Sequence, residues 1–119
     1  MRYRKICIKS LNALDDILYD LLEAYNDTEN NALNYIYDCI YPKYDKLFQD
    51  FSRHDSRYRE IAMLCRDVLD DATIYTFNEF LKCENKENER YLSLHDKAVS
   101  AYCNIAQLIK ERENDRWKR

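Results

Sequence analysis

Apolar residues recur at alternating spacings of three and four along most of the chain, and they form four runs that keep helical phase. The first is Cys7, Leu11, Leu14, Leu18, Leu21 and Tyr25, flanked by Ile17 and Leu22, which widens it to the apolar face of a core helix. It stops at the polar stretch NDTENN, where Asp27 or Thr28 is placed to accept from the free N–H groups of the next helix. The second run, Leu33, Tyr37, Ile40, Tyr44, Leu47 and Phe51, holds phase straight through Pro42. A proline inside a helix deletes one backbone hydrogen bond and crowds the preceding turn, so the unbroken phase predicts one helix kinked at Pro42.

SRHDS makes the next break, with Asp55 or Ser56 as cap, and the third run follows as Tyr58, Ile61, Cys65, Val68, Ala72 and Tyr75, supported by Leu64 and Leu69. Its later part, ATIYTF, is rich in β-branched and aromatic residues, yet no partner strand exists elsewhere and a lone strand leaves its backbone unsatisfied. The helix therefore continues through Phe80 and Leu81 towards CENKENE. The fourth run is Tyr91, Leu94, Ala98, Ala101, Ile105, Leu108 and Arg112, with charge only at its last position. Four helices of about 20 to 26 residues joined by loops of about five predict an all-α fold: one domain over residues 1–119, an antiparallel up-down-up-down four-helix bundle.

Composition agrees. The 119 residues suffice for one continuous core, and the absence of glycine withdraws the residue that hairpins and bulges most often need at positive φ. Tyr, Asn, Asp, Ile and Lys are abundant, as in the product of an AT-rich gene. The five cysteines, Cys7, Cys39, Cys65, Cys83 and Cys103, form no C-x-x-C pair, so neither a disulfide framework nor a zinc site is indicated. MRYRKICIKS has a basic start but no apolar run after it, and no stretch reaches membrane-span length. The expected setting is the cytoplasm.

The topology sorts the charge. An up-down-up-down path gathers residues 1–9, 48–60 and 110–119 at one pole, with twelve Lys/Arg against six Asp/Glu. Residues 20–34 and 79–96 fall at the other, with three against nine. A chain of net charge −3 thus becomes a dipole along its bundle axis. Arg2, Arg4, Lys5 and Lys9 are the informative cations, because positive charge at a helix start opposes the helix dipole and is not there for stability. Arg116 suits the end of the fourth helix, and Trp117 beside it can stack on a base or fill a partner's pocket. The second helix adds Tyr35 and Tyr41 towards the flanks of its core stripe, next to Pro42, whereas Tyr37, Tyr44 and Phe48 are expected to be buried.

Chemistry is harder to find. Asp15, Asp16, Asp67, Asp70 and Asp71 lack the matching second motif of a carboxylate metal site and read as solvated helix faces. His54 and Asp55 have no recognisable nucleophile, and neither a metal nor a cofactor is expected. Arg90 and His95, with four residues between them, resemble the Arg-x4–6-His signature of the HEPN ribonucleases, an all-α family. That resemblance implies a histidine that moves a proton and an arginine that holds phosphorane charge. Tyr91 stands where the family usually has a polar residue, and Glu84, Glu87, Glu89 and Asp96 surround the pair with negative charge. The expectation is a non-enzymatic, protein-binding module, an inhibitor, immunity protein or adaptor of the kind phages and viruses encode. It docks through the basic pole and the tyrosine-rich flank; a homodimer is compatible with this. The alternatives are nucleic-acid binding by the same pole and the HEPN-like ribonuclease.

Overall fold

In the computed structural model the four runs are four helices: α1 (Tyr3–Thr28), α2 (Asn31–Ser52), α3 (Tyr58–Lys82) and α4 (Asn88–Trp117). The structure describes residues 1–53, 56–82 and 88–117, and no strand occurs among them. His54, Asp55, Cys83, Glu84 and Glu87 lie outside the described residues. The helices pack about one core. α1 and α3 each touch all three others, while α2 and α4 do not touch among the described residues. The chain thus forms a four-helix cluster with α1 and α3 across its short diagonal, and these two helices supply the most buried side chains.

The core follows the apolar phase. Cys7, Leu11, Leu14, Leu18 and Leu21 of α1, Leu33, Ile40 and Leu47 of α2, Ile61, Cys65, Val68 and Ala72 of α3, and Tyr91, Leu94, Ala98 and Ile105 of α4 are all buried. Burial in an apolar site opposes ionisation, and it pushes the Cys7 thiol up to about 11 and Cys65 to about 12. ATIYTF stays helical, as expected. The Thr76 hydroxyl donates to the carbonyl of Ala72 at 2.7 Å and that of Thr73 to Asp70 at 2.6 Å, so both polar groups are satisfied inside their own helix.

Three local expectations are corrected. The cap of α2 is neither Asp27 nor Thr28 but Asn30, whose side chain accepts from the Ala32 N–H at 2.9 Å. α1 runs on to Thr28, whose hydroxyl donates to the Ala24 carbonyl at 2.7 Å and accepts from the Asn30 N–H at 3.3 Å. The turn is then made by Glu29 in the left-handed region, φ 55°, with its N–H on the Tyr25 carbonyl at 2.7 Å. A glycine-free chain here gives a glutamate the position that glycine usually fills. Second, Phe48 is exposed rather than buried, because Leu47, about 100° round the helix from it, holds the core position. Third, Leu22 and Leu64 are exposed, so the apolar faces of α1 and α3 are narrower than their sequences suggest.

The helix ends meet in a definite pattern. Near the start of α1, the Cys7 thiol donates to the Tyr58 carbonyl of α3 at 3.2 Å, Arg4 lies over the Phe51 ring of α2 at 6.0 Å, and Tyr3 bonds Glu113 of α4. Towards the other end of α1, Asp27 pairs with Arg90 at 2.6 Å and Asp20 with Lys97 at 2.5 Å. The molecule is 53 Å long, several times the screening length of about 8 Å in physiological salt, so charge at one end does not cancel the field at the other.

Candidate functional site

Where the start of α1, the start of α3 and the last turns of α4 meet, four arginines face one open cleft of about 390 Å³. Arg2 precedes α1 in extended conformation and offers no side-chain cap, and the first turn of α1 holds no acidic residue. Arg4 follows within that turn. Arg59 enters from the first turn of α3 and Arg112 from α4, and the side chains of Tyr3 and Tyr58 complete the lining. An adjoining shallow hollow is lined by Met1, Arg2, Arg4 and Lys5.

One carboxylate holds the arrangement together. Glu113 Oε1 accepts from the Tyr3 hydroxyl and from Arg59 Nε, the latter at 2.6 Å. The two donors hold the Glu113 carboxyl below its usual range, Arg59 foremost. Burial and then the neighbouring Glu113 charge raise Tyr3. Arg112 lies over the Tyr3 ring, its guanidinium carbon 5.6 Å from the centroid, and its buried Nε has no hydrogen-bond partner among the described residues. A buried charged donor without an acceptor is costly and uncommon. The lining of this cleft thus carries four guanidinium groups beside the Tyr3 and Tyr58 phenols.

The other sequence-predicted residues sit as follows. Lys5 and Lys9 are exposed one turn apart on α1, and Lys9 does not line the cleft. Arg116 and Trp117 are exposed at the end of α4, Trp117 almost completely, and neither lines the cleft. Tyr35 and Tyr41 are exposed, but they belong to different flanks. Tyr41 stacks on Tyr37, with centroids 5.4 Å apart, and the row continues through Tyr44 to Phe48. Burial and the nearby Asp15 charge of α1, among other causes, raise Tyr37 and Tyr44, which places that row on the α1 side. Tyr35 instead interacts with Cys39 and Tyr75, on the α3 side.

Arg90 and His95 turn to different helices. Arg90 donates to Asp27 of α1, while His95 Nδ1 lies 3.1 Å from the Thr73 carbonyl and 3.2 Å from the Thr76 hydroxyl of α3, its ring against Phe77. Five residues of helix set two side chains about 140° apart, which accounts for the divergence. Asp71 pairs with Lys43 at 2.9 Å, Asp67 with Arg66 at 3.4 Å, and no group of three potential metal ligands occurs among the described residues. No described helix is long and apolar enough to cross a membrane.

Two members of the cleft were not singled out by sequence, Arg59 and Arg112. Arg112 did leave a signal, because it occupies an apolar phase position of the fourth run. Arg59 left none. Comparison of the chain with protein-family models, with curated proteins and with solved structures gave no match.

Proposed function

We propose that this chain is a non-enzymatic binding module of the cytoplasm, acting as an inhibitor or adaptor, that docks an acidic face of a partner protein on its basic end. The architecture in this reading is an up-down-up-down bundle with α2 kinked at Pro42. The meeting of the α1 start with the α3 start and with the far ends of α2 and α4 supports that path. The observation that carries the function is the convergence of Arg2 and Arg4 at the start of α1, Arg59 of α3 and Arg112 of α4 on one cleft. Folding alone does not account for it. Like charges gathered at the positive ends of two helix dipoles oppose stability.

A protein face fits better than a nucleic-acid strand. Counterion release drives nucleic-acid binding along a track of phosphates, and the basic surface here is confined to one end of a 53 Å molecule. The opposite end, residues 20–34, 79–82 and 88–96, carries seven Asp/Glu against two Lys/Arg. Tyr35, Tyr41 and Trp117 offer aromatic area for a second contact.

The test is a triple charge reversal, Arg2→Glu, Arg4→Glu and Lys5→Glu, assayed by capture of partner from native lysate with and without nuclease. Acidic residues in the first turn suit the helix dipole by about 0.3–1 kcal/mol each. Thermal stability should therefore hold or rise while partner recovery falls at least tenfold. Unchanged recovery of a nuclease-resistant partner would move the docking surface to the Tyr35 or Tyr41 flank. Retention of nucleic acid alone would replace the protein partner with a nucleic acid.

A further inference from the structure

We infer that the arginine cleft takes a phosphomonoester, so that the partner residue docked there is a phosphorylated side chain; this rests on reading the basic end as the docking surface. The charge balance selects the ligand. Arg59 is neutralised by Glu113 at 2.6 Å, which among the described residues leaves Arg2, Arg4 and Arg112 facing the cleft. A carboxylate or a phosphodiester brings one negative charge to three guanidinium groups. A phosphomonoester brings about 1.5 to 2 on one centre, with three acceptor oxygens.

The geometry makes the same selection. The Arg112 guanidinium is held over the Tyr3 ring, its carbon 5.6 Å from the centroid, so it is oriented before any ligand arrives. The start of α1 opens beside it with no acidic side chain in the first turn. An anion there gains from the helix dipole as well as from the arginines. Arginine clusters of this kind are a recurrent means of recognising phosphorylated side chains. Nucleic-acid phosphates, singly charged and spread along a strand, use neither the local charge nor the single fork.

The experiment follows the Nε–Hε signals of the arginines by nuclear magnetic resonance at constant ionic strength. Phenyl phosphate, an alanine-flanked phosphoserine peptide, inorganic phosphate, dimethyl phosphate, acetate and a short RNA are titrated in turn. The expected result is a saturable shift of the Arg112 signal by phenyl phosphate and the phosphoserine peptide, at least tenfold tighter than by dimethyl phosphate or acetate. Binding should strengthen as pH rises through about 6, where the monoester takes its second charge. Arg112→Lys keeps the charge but loses the fork, and should weaken binding at least tenfold. Arg2→Gln, at an exposed position ahead of α1, supplies a second variant that does not disturb the core.

Equal affinity for all anions, an unmoved Arg112 signal, or tighter binding of the RNA than of phenyl phosphate would overturn the inference. Binding of inorganic phosphate without the phosphoserine peptide would overturn the docked side chain. Should phenyl phosphate fail while the triple charge reversal still abolishes partner capture, the docking surface stands and the phosphoryl ligand falls. Should phenyl phosphate bind and capture survive the reversal, the docking reading falls instead.

Discussion

Replacing Pro42 by alanine tests the least orthodox feature of α2. Pro42 is the twelfth residue of a 22-residue helix, exposed, with the buried Leu33, Ile36 and Ile40 before it and Leu47 after it. Without an N–H it gives the Asp38 carbonyl no intrahelical partner, and its ring crowds that carbonyl. In an interior helical position proline is about 3 kcal/mol less favourable than alanine. The substitution also frees the unfolded chain, which returns about 0.4–1 kcal/mol. The expected gain is therefore about 2 kcal/mol. A chain of 119 residues unfolds with an entropy of about 0.25 kcal/mol per kelvin, so Tm should rise by about 8 °C in a calorimetric scan. Should α2 be kinked at Pro42 as proposed, the gain is smaller, because Leu47 then packs to a bent axis. A fall in Tm would refute the reasoning. It would mean that the core is packed to a bent α2, so that straightening the helix pulls Leu47 away.

Other expectations follow from burial and charge. Leu69→Ala, at a fully buried site, should cost about 2–5 kcal/mol in urea unfolding, whereas Leu64→Ala, at a half-exposed site on the same helix, should cost under about 1 kcal/mol. At pH 8, iodoacetamide followed by peptide mass mapping should label exposed Cys103 rapidly and leave Cys7 and Cys65 unlabelled, because both thiols are buried and hold their protons. Glu113 has its carboxyl lowered by Arg59 and Tyr3, so its contribution is fully present above the ordinary carboxylate range and is lost as pH falls through its lowered value. Glu113→Gln should lower Tm at pH 7 and flatten the acid limb of the stability profile; an unchanged acid limb would show that the bridge contributes nothing.

The helices and most of the core were legible because burial in a helical protein follows apolar phase. Leu14, Ile40, Cys65 and Ile105 needed nothing beyond that spacing to be placed. Helix ends were less legible. Asn30 caps α2 because α1 runs on to Thr28 and Glu29 takes a left-handed backbone, and both are outcomes of the folded turn. Phe48 shows a second limit: it lies outside the apolar run that holds Leu47, and its size alone did not bring it into the core. The candidate site was half legible. Arg2, Arg4 and Lys5 stand out by charge against the helix dipole. Arg59 and Arg112 join them only through the packing of α3 and α4 against α1, a long-range fact that no local pattern encodes.

The most direct test of the central claim, that the basic end docks a partner protein, is site-specific photo-crosslinking in native cells. A photoreactive amino acid is placed at Lys5 in one variant and at Glu23, towards the acidic end, in another, and the adducts are identified by mass spectrometry. Protein adducts at position 5 that are absent at 23, and that disappear when Arg2→Glu and Arg4→Glu are added, are the predicted result. Adducts at 23 alone, or adducts at 5 that persist through the charge reversal, would contradict it.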